Sequence, residues 1–241
     1  MRKVALTIDV EQDVPPYLNT WRGIEKGLPL LLDLLSRHDI PATFFVTGKA
    51  AERYPKLAKD ISRRHEVACH GYEHERLDRL GLEEQLRRIE LATKILTKIV
   101  GRRPLGFRAP NFRANASTFK AVERARYIYD ASVASYKICE KPRNRKLAEI
   151  PNTWPSSFLR LPPAISTRAL RICVAALPLT VLDYHVWEVV RVSGVPFDCR
   201  FRTGEVALRR LDEVLGYLLD KKCRFMPMRD VVKESLGRRC S

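Results

Sequence analysis

Apolar and polar positions along this chain follow two periods, and the two take turns from end to end. Short apolar runs that stop at an acid, a glycine or a cysteine read as strands buried on both faces. Lys3–Asp9, Pro41–Val46 and Glu66–Cys69 come first. Leu105–Phe107, Tyr127–Asp130, Thr180–His185 and Arg224–Met226 follow. Between them, apolar residues recur every three or four positions, as amphipathic helices require. Ile24–His38 sets Leu28, Leu31, Leu32, Leu34 and Leu35 on one face. Ala50–Arg64, Leu82–Val100, Ala116–Ala125, Glu205–Asp220 and a last helix from Met228 complete the set. In Leu82–Val100 the stripe is Leu86, Ile89, Ala92 or Thr93, and Leu96, and Glu83, Glu84, Arg87, Arg88 and Glu90 make the solvated face. Residues 131–170, rich in proline, lysine and arginine, predict long loops.

Alternating strand and helix predicts parallel strands joined by crossover helices. No Gly-x-Gly-x-x-Gly follows any strand, which disfavours a dinucleotide-binding sheet. Asp9, His70, Arg108, Asp130 and His185 all fall at or just after the C-terminal end of a strand. In a barrel those ends converge on one rim. The expectation is one domain over residues 1–241, an α/β fold forming a single irregular (β/α) barrel of about seven parallel strands.

Composition narrows the function classes. At 241 residues, 45% hydrophobic and 30% charged, the chain has the make-up of a globular domain with a sizeable core. Its formal charge of +16 favours acidic partners. The cations are spread along the chain, and Lys137–Lys146 is the nearest thing to a block. No interleaving of aromatic and basic residues of the single-strand-binding kind is present, so nucleic acid is disfavoured. Six widely spaced cysteines without a Cys-x-x-Cys pair argue against a zinc ribbon or a disulfide scaffold and read as reduced thiols. Val4–Ile8 is too short for a signal core, and Ala169–Leu182 carries Arg171 and Pro178 and is too short to span a bilayer. These features lead to the expectation of a cytoplasmic protein without a transmembrane segment.

The candidate chemistry centres on His70-Gly71-Tyr72-Glu73-His74, which holds two of the five histidines. Histidines four apart can reach one divalent metal. The same letters spell His-x-x-Glu-His, the inverted zinc-protease signature with Glu73 as base. That chemistry needs a helix, whereas here a strand precedes the motif and Gly71 interrupts it. Glu73 therefore reads as a solvent-facing loop residue. His38, at a helix end, reads as a cap or surface residue. His65 reads as a packing residue beneath the metal loop. Trp154 and Trp187 either stack on a sugar face or cover the barrel mouth. Phe44, Phe45, Met226 and Met228 read as core.

Further motifs stand in order along nearly the whole chain. Leu6-Thr7-Ile8-Asp9-Val10-Glu11 comes first and His65–His74 second. Phe107-Arg108-Ala109-Pro110-Asn111-Phe112, then Tyr127–Ser132 with Glu149-Ile150-Pro151, and last Leu182-Asp183-Tyr184-His185-Val186-Trp187-Glu188 follow. In these motifs the chain resembles the polysaccharide deacetylases, the NodB-homology family or carbohydrate esterase family four, in the branch whose first motif reads Asp-Val-Glu. The resemblance implies a metal-dependent hydrolase of carbon–nitrogen bonds other than peptide bonds, deacetylating an N-acetylated sugar or glycan precursor. It implies a divalent metal, zinc first, on His70 and His74. Asp9 would be the general base, His185 the general acid, and Arg108 the group that orients Asp9. Asp130 or Asp183 would hold His185 protonated. The commonest family pattern has two adjacent aspartates, the second a metal ligand. Val10 stands in that place here, so Glu11 is the natural third ligand and Asp13 the alternative. The alternatives are hydrolysis of non-sugar amides or cyclic ureides on the same barrel and a metal-free basic barrel that binds acidic polymers.

Overall fold

The computed structural model describes residues 2–136 and 147–237. The basic run Lys137–Lys146, with Cys139, and Cys240 near the end lie outside the described residues. The described strands are β1 (Lys3–Val10), β2 (Thr43–Val46), β3 (Glu66–Cys69), β4 (Gly106–Phe107), β5 (Tyr129–Asp130), β6 (Ala148–Glu149), β7 (Leu179–His185) and β8 (Arg224–Phe225). The α-helices are α1 (Leu28–Arg37), α2 (Gly48–Arg53), α3 (Pro55–Arg64), α4 (Leu82–Val100), α5 (Ala116–Arg124), α6 (Ser156–Leu159), α7 (Pro163–Ala176), α8 (Phe197–Arg200), α9 (Glu205–Asp220) and α10 (Met228–Gly237). The chain folds into two compact units, Met1–Ala42 with Trp154–Met226 and Thr43–Thr153 with Pro227–Ser241.

In the first unit β1 pairs in parallel with β7 on one side and β8 on the other. Val4–Val10 is buried without a break, as a strand with both faces covered demands. The β1–β7 ladder runs from Lys3 opposite Leu179 to Asp9 opposite His185, so both strands end at the same level. The expected helix over Ile24–His38 opens instead as a π-helical turn over Gly23–Gly27, and α1 follows. Backbone crowding requires both glycines of that turn. A Cβ on Gly27 would sit 2.3 Å from the Val186 carbonyl oxygen, and one on Gly23 would sit 2.7 Å from the Trp187 backbone. Leu28, Leu31, Leu34 and Leu35 of α1 are buried while Leu32 is only half-buried. Helix α9 buries Ala207, Leu211, Val214, Leu215 and Leu218 on the matching stripe.

In the second unit β2 to β6 pair in sequence order, all parallel. The expected helix over Ala50–Arg64 breaks at Tyr54, because Pro55 starts a new helix where its missing N–H costs nothing. Asn115 caps α5 in a reciprocal pair with Thr118. Beneath β2 and β3, Glu66 is fully enclosed and accepts from Thr43 Oγ1 at 2.8 Å, Tyr129 Oη at 2.9 Å and the Arg229 amide at 2.9 Å. The amide belongs to the first turn of α10, where a carboxylate meets the positive end of the helix. Residues 131–170 were expected as loops, but they contain β6, α6 and the start of α7. Pro162-Pro163 opens α7 in the same way that Pro55 opens α3. No described helix is long and apolar enough to cross a membrane.

Candidate active site

On the first unit the ladder that aligns β1 with β7 delivers Asp9 and His185 side by side. His185 Nε2 lies 3.8 Å from Asp9 Oδ2. Asp183, two residues back on the same face of β7, completes a group in which Asp9, Asp183 and His185 each offer an atom within 4.8 Å of the others. Asp9 and Asp183 are buried, and His185 is partly open.

A four-residue 3₁₀ turn, Val186–Val189, follows β7 and folds Glu188 back onto His185. Glu188 Oε1 accepts from the His185 backbone amide at 3.1 Å and stands 2.9 Å from the ring Nδ1. A carboxylate at that nitrogen makes Nδ1 the donor and turns Nε2 toward Asp9. Glu188 Oε2 lies 2.8 Å from Arg160 Nε in an ion pair closed to solvent. The same guanidinium donates to the carbonyls of Asp198, Cys199 and Phe201 at 2.9, 3.0 and 2.6 Å. Burial works against a charged imidazole at His185, but Asp183, hydrogen-bonded Glu188, Glu11 and Asp9 outweigh it and raise the pKa to about 10. The ring is an imidazolium at neutral pH.

Trp187 joins two candidate residues. Its ring stacks on His185 with centroids 4.9 Å apart, and its indole N–H donates to Glu11 Oε1 at 3.1 Å. Asp13, the alternative to Glu11, is committed elsewhere. Its carboxylate accepts from Thr20 Oγ1 at 2.7 Å and from the Arg22 and Gly23 amides at 2.8 Å each. It holds the start of the π-helical turn, whereas the Glu11 carboxylate accepts the Trp187 indole.

On the second unit His70 follows β3 directly and is buried, and its Nδ1 lies 2.9 Å from the Arg108 carbonyl. A carbonyl can only accept, so Nδ1 is the donor and Nε2 is the nitrogen that would ligate a metal, the orientation of a metal-ligating histidine. His74 stands edge-on to His70 with ring centroids 5.4 Å apart. Residues 70–76 form a loop rather than a helix. Gly71 and His74 both take positive φ, +74° and +64°. The Glu75 carboxylate accepts from the Glu73 amide at 2.6 Å and holds the loop closed. Glu73 points outward to Lys49 at 2.8 Å, as a solvent-facing residue would.

Arg108 is fully buried between aromatic rings, 4.0 Å from the centroid of Phe45 and 5.1 Å from that of Phe112. The next residue is tied to Asp130 through Ser132. The Ala109 amide donates to Ser132 Oγ at 2.8 Å, and Ser132 donates its own Oγ–H and amide to the Asp130 carboxylate at 2.8 and 2.9 Å. Burial pushes the Asp130 pKa up to about 6, against the Ser132 bonds, Glu149 and the Arg108 charge, which pull it down. Asp130 therefore stands with Ser132 and Arg108 on the second unit. The acids beside His185 on the first unit are Asp183 and Glu188. Reading the sequence missed Glu188 and Arg160 as parts of the site. The three-residue spacing of His185 and Glu188 is a capping-box spacing and was the available signal.

Trp154 is buried, and its backbone pairs with β7 through Val181 and Asp183. Its ring meets Phe158 edge-on, and it packs as a cover over that strand. His38 pairs with Asp212 at 2.6 Å, and His65 packs on the ring of Phe44.

Comparison with known proteins gives a family model, polysaccharide deacetylase, that matches residues 1–129. The chain belongs to the polysaccharide deacetylase family. The match includes Asp9, Glu11, His70, His74 and Arg108 and stops short of His185. A peptidoglycan deacetylase-like protein of Gibberella zeae is 33% identical over 113 residues, 46% of this chain and 33% of that protein. A peptidoglycan-N-acetylglucosamine deacetylase of Bacillus cereus is 34% identical over 109 residues, 45% and 36% of the two chains. The matched stretch thus spans about a third of the length of these curated relatives. A solved structure from Mycobacterium smegmatis, assigned to the polysaccharide deacetylases, aligns over 98% of this chain and 91% of its own. Its TM-score is 0.74 at 23% identity. That likeness carries the fold, and this member of the family has the expected (β/α) barrel.

Proposed function

We propose that this chain hydrolyses the carbon–nitrogen bond of an N-acetylated sugar, releasing acetate and leaving a free amine. The observation that carries the proposal is the pairing at the end of β1 and β7, where the Asp9 carboxylate lies 3.8 Å from a protonated His185. Amide hydrolysis needs a base for the attacking water and an acid for the leaving amine. In this reading the Asp9 carboxylate takes the water's proton as the water adds to the acetyl carbon. His185 Nε2–H then gives its proton to the amide nitrogen, and the C–N bond breaks. Glu188 holds the ring so that Nε2 is the nitrogen presented. In this proposal Arg108 is the group that orients Asp9, and Asp130 steadies the segment that carries Arg108.

His70, His74 and Glu11 are proposed to hold a divalent metal, zinc in this proposal. Two imidazoles and one carboxylate are a catalytic zinc donor set, and the His70 tautomer suits it. Asp13 is engaged in its own turn, which supports Glu11 as the third ligand. When bound, the metal would polarise the acetyl oxygen and lower the pKa of a water. We take residues 1–241 as one deacetylase domain. The four described cysteines carry free thiols, which suits a reducing compartment, and a cytoplasmic glycan precursor is the proposed substrate.

The test is acetate release from N-acetylglucosamine oligomers and soluble N-acetylated sugars, together with metal analysis of protein purified without added zinc. Asp9→Asn is expected to lower kcat by at least about a hundred-fold with metal content retained. Protein that binds no metal, or an Asp9→Asn variant with undiminished hydrolysis, would sink the proposal.

A further inference from the structure

The first unit has a second concavity, beyond the C-terminal end of β7 and past the turn that carries Glu188. It measures about 800 Å³ and is walled by Val189, residues 191–194, Arg200 and residues 202–206. Three of its lining residues are arginines, Arg191, Arg200 and Arg202, and Glu205 is the one acid. Among the described residues none of the three guanidinium groups has a carboxylate partner. Arg191 gives only its backbone carbonyl, to Arg22, and Arg200 only lies over the Phe197 ring. Other surface arginines are neutralised locally, as in Arg76 with Asp78 and Arg88 with Glu84.

The backbone adds to this field. Helix α9 starts at Gly204 without a side-chain cap. Glu205 and Val206, first in the helix, have no intrahelical acceptor for their N–H groups, and both line the cavity. Gly204 holds the wall close, with φ +88° and the Arg191 amide 3.5 Å from where a Cβ would lie. Its own amide donates to the Glu188 carbonyl at 2.8 Å. The residue that holds His185 therefore also anchors the cavity wall.

We propose that this cavity binds a phosphate or diphosphate group carried by the substrate. Guanidinium forks match phosphate oxygens, and three cations with two helix-terminal amides match the charge of a diphosphate better than that of a single carboxylate. The volume admits such a group with part of a sugar. Binding of phosphate stands on the cavity alone, and its role as a substrate handle rests on the deacetylase reading.

Titration calorimetry with inorganic pyrophosphate at constant physiological ionic strength tests binding. Two triple variants remove equal charge. One is Arg191→Gln, Arg200→Gln and Arg202→Gln, and the control is Arg168→Gln, Arg171→Gln and Lys221→Gln on another face of the same unit. One saturable site is expected, weakened about ten-fold or more in the cavity triple and less than about two-fold in the control. Absence of saturable binding, or equal losses in both triples, would overturn the proposal. The Arg→Lys triple keeps the charge and guards against misfolding, and it should retain part of the affinity. Kinetics then compare a phosphate-bearing N-acetylated sugar with its neutral counterpart. The cavity triple should erase the KM advantage of the phosphate-bearing sugar, and a KM ratio that survives would remove the substrate role. Intact pyrophosphate binding without hydrolysis of either sugar would refute the deacetylase reading and leave the cavity assignment standing.

Discussion

Replacing Glu188 with Gln changes one charge in a place where its effect can be read directly. The carboxamide keeps nearly the same size and an oxygen to accept the His185 Nδ1–H, but it drops the negative charge. His185 is raised from 6.5 to about 10 against the cost of burial, which amounts to about 5 kcal/mol in favour of the imidazolium. Asp183, Glu188, Glu11 and Asp9 share that preference. A hydrogen bond to a charged partner contributes roughly 1.5–3 kcal/mol where a neutral one contributes about 1. Losing the charge should therefore lower the His185 pKa by about 0.5 to 1.5, to roughly 8.5–9.5. The imidazole proton titration, followed by NMR on metal-stripped protein, measures it. The alkaline limb of the kcat/KM profile should move down by the same amount, with little change at pH 7. Stability carries a second signature. The folded pKa is raised, so the stabilisation from protonated His185 is complete below pH 6.5 and is lost as pH rises toward 10. The variant should lose less stability over that interval. It should also melt lower at neutral pH, because Arg160 would keep its carbonyl acceptors but lose its buried counter-charge. An unmoved His185 titration in a folded variant would show that Glu188 does not hold the acid.

Glu11→Gln and Asp13→Ala should separate a ligand from a structural acid. The first is expected to cut metal content with a small change in melting temperature, and the second to cost about 2–4 kcal/mol for three lost hydrogen bonds while metal content stays. Metal analysis and urea unfolding of both would check this. Gly106→Ala should destabilise by about 3 kcal/mol or more in the same unfolding assay. Its Cβ would fall 1.8 Å from the Tyr129 ring, which is pinned to Glu66. His65 is held near pKa 4, first by burial and then by the Arg64 charge, so the neutral ring is the folded form. That contribution is present above pH 6.5 and is lost as pH falls toward 4, at a cost of about 3 kcal/mol. His65→Phe should flatten that acid loss in pH-dependent thermal melts.

The strands and helices that fold on one period were legible in the chain. Glu66–Cys69, Leu82–Val100 and Glu205–Asp220 begin and end where their hydrophobic pattern does. Prolines were harder to place. Pro55 splits one expected helix, and Pro162-Pro163 starts α7 inside a stretch that reads as loop, because a proline can open a helix as readily as it can end one. The π-helical turn at Gly23–Gly27 answers to backbone crowding against Val186 and Trp187, some 160 residues away, and no local pattern encodes it. In the site, Asp9 and His185 were legible because both end strands. The Arg160–Glu188 pair was not, because its partners come from two segments without periodicity and meet only through the fold.

Trp187 gives the site an optical voice. Its indole lies against the His185 ring and donates to Glu11, so one chromophore touches the proposed proton donor and a proposed metal ligand. A stacked imidazolium quenches indole emission more strongly than a neutral imidazole does. A cation drawn to Glu11 would compete with the indole N–H for the same oxygen. The emission of Trp187 therefore follows two separate chemical events from inside the protein, with no label attached.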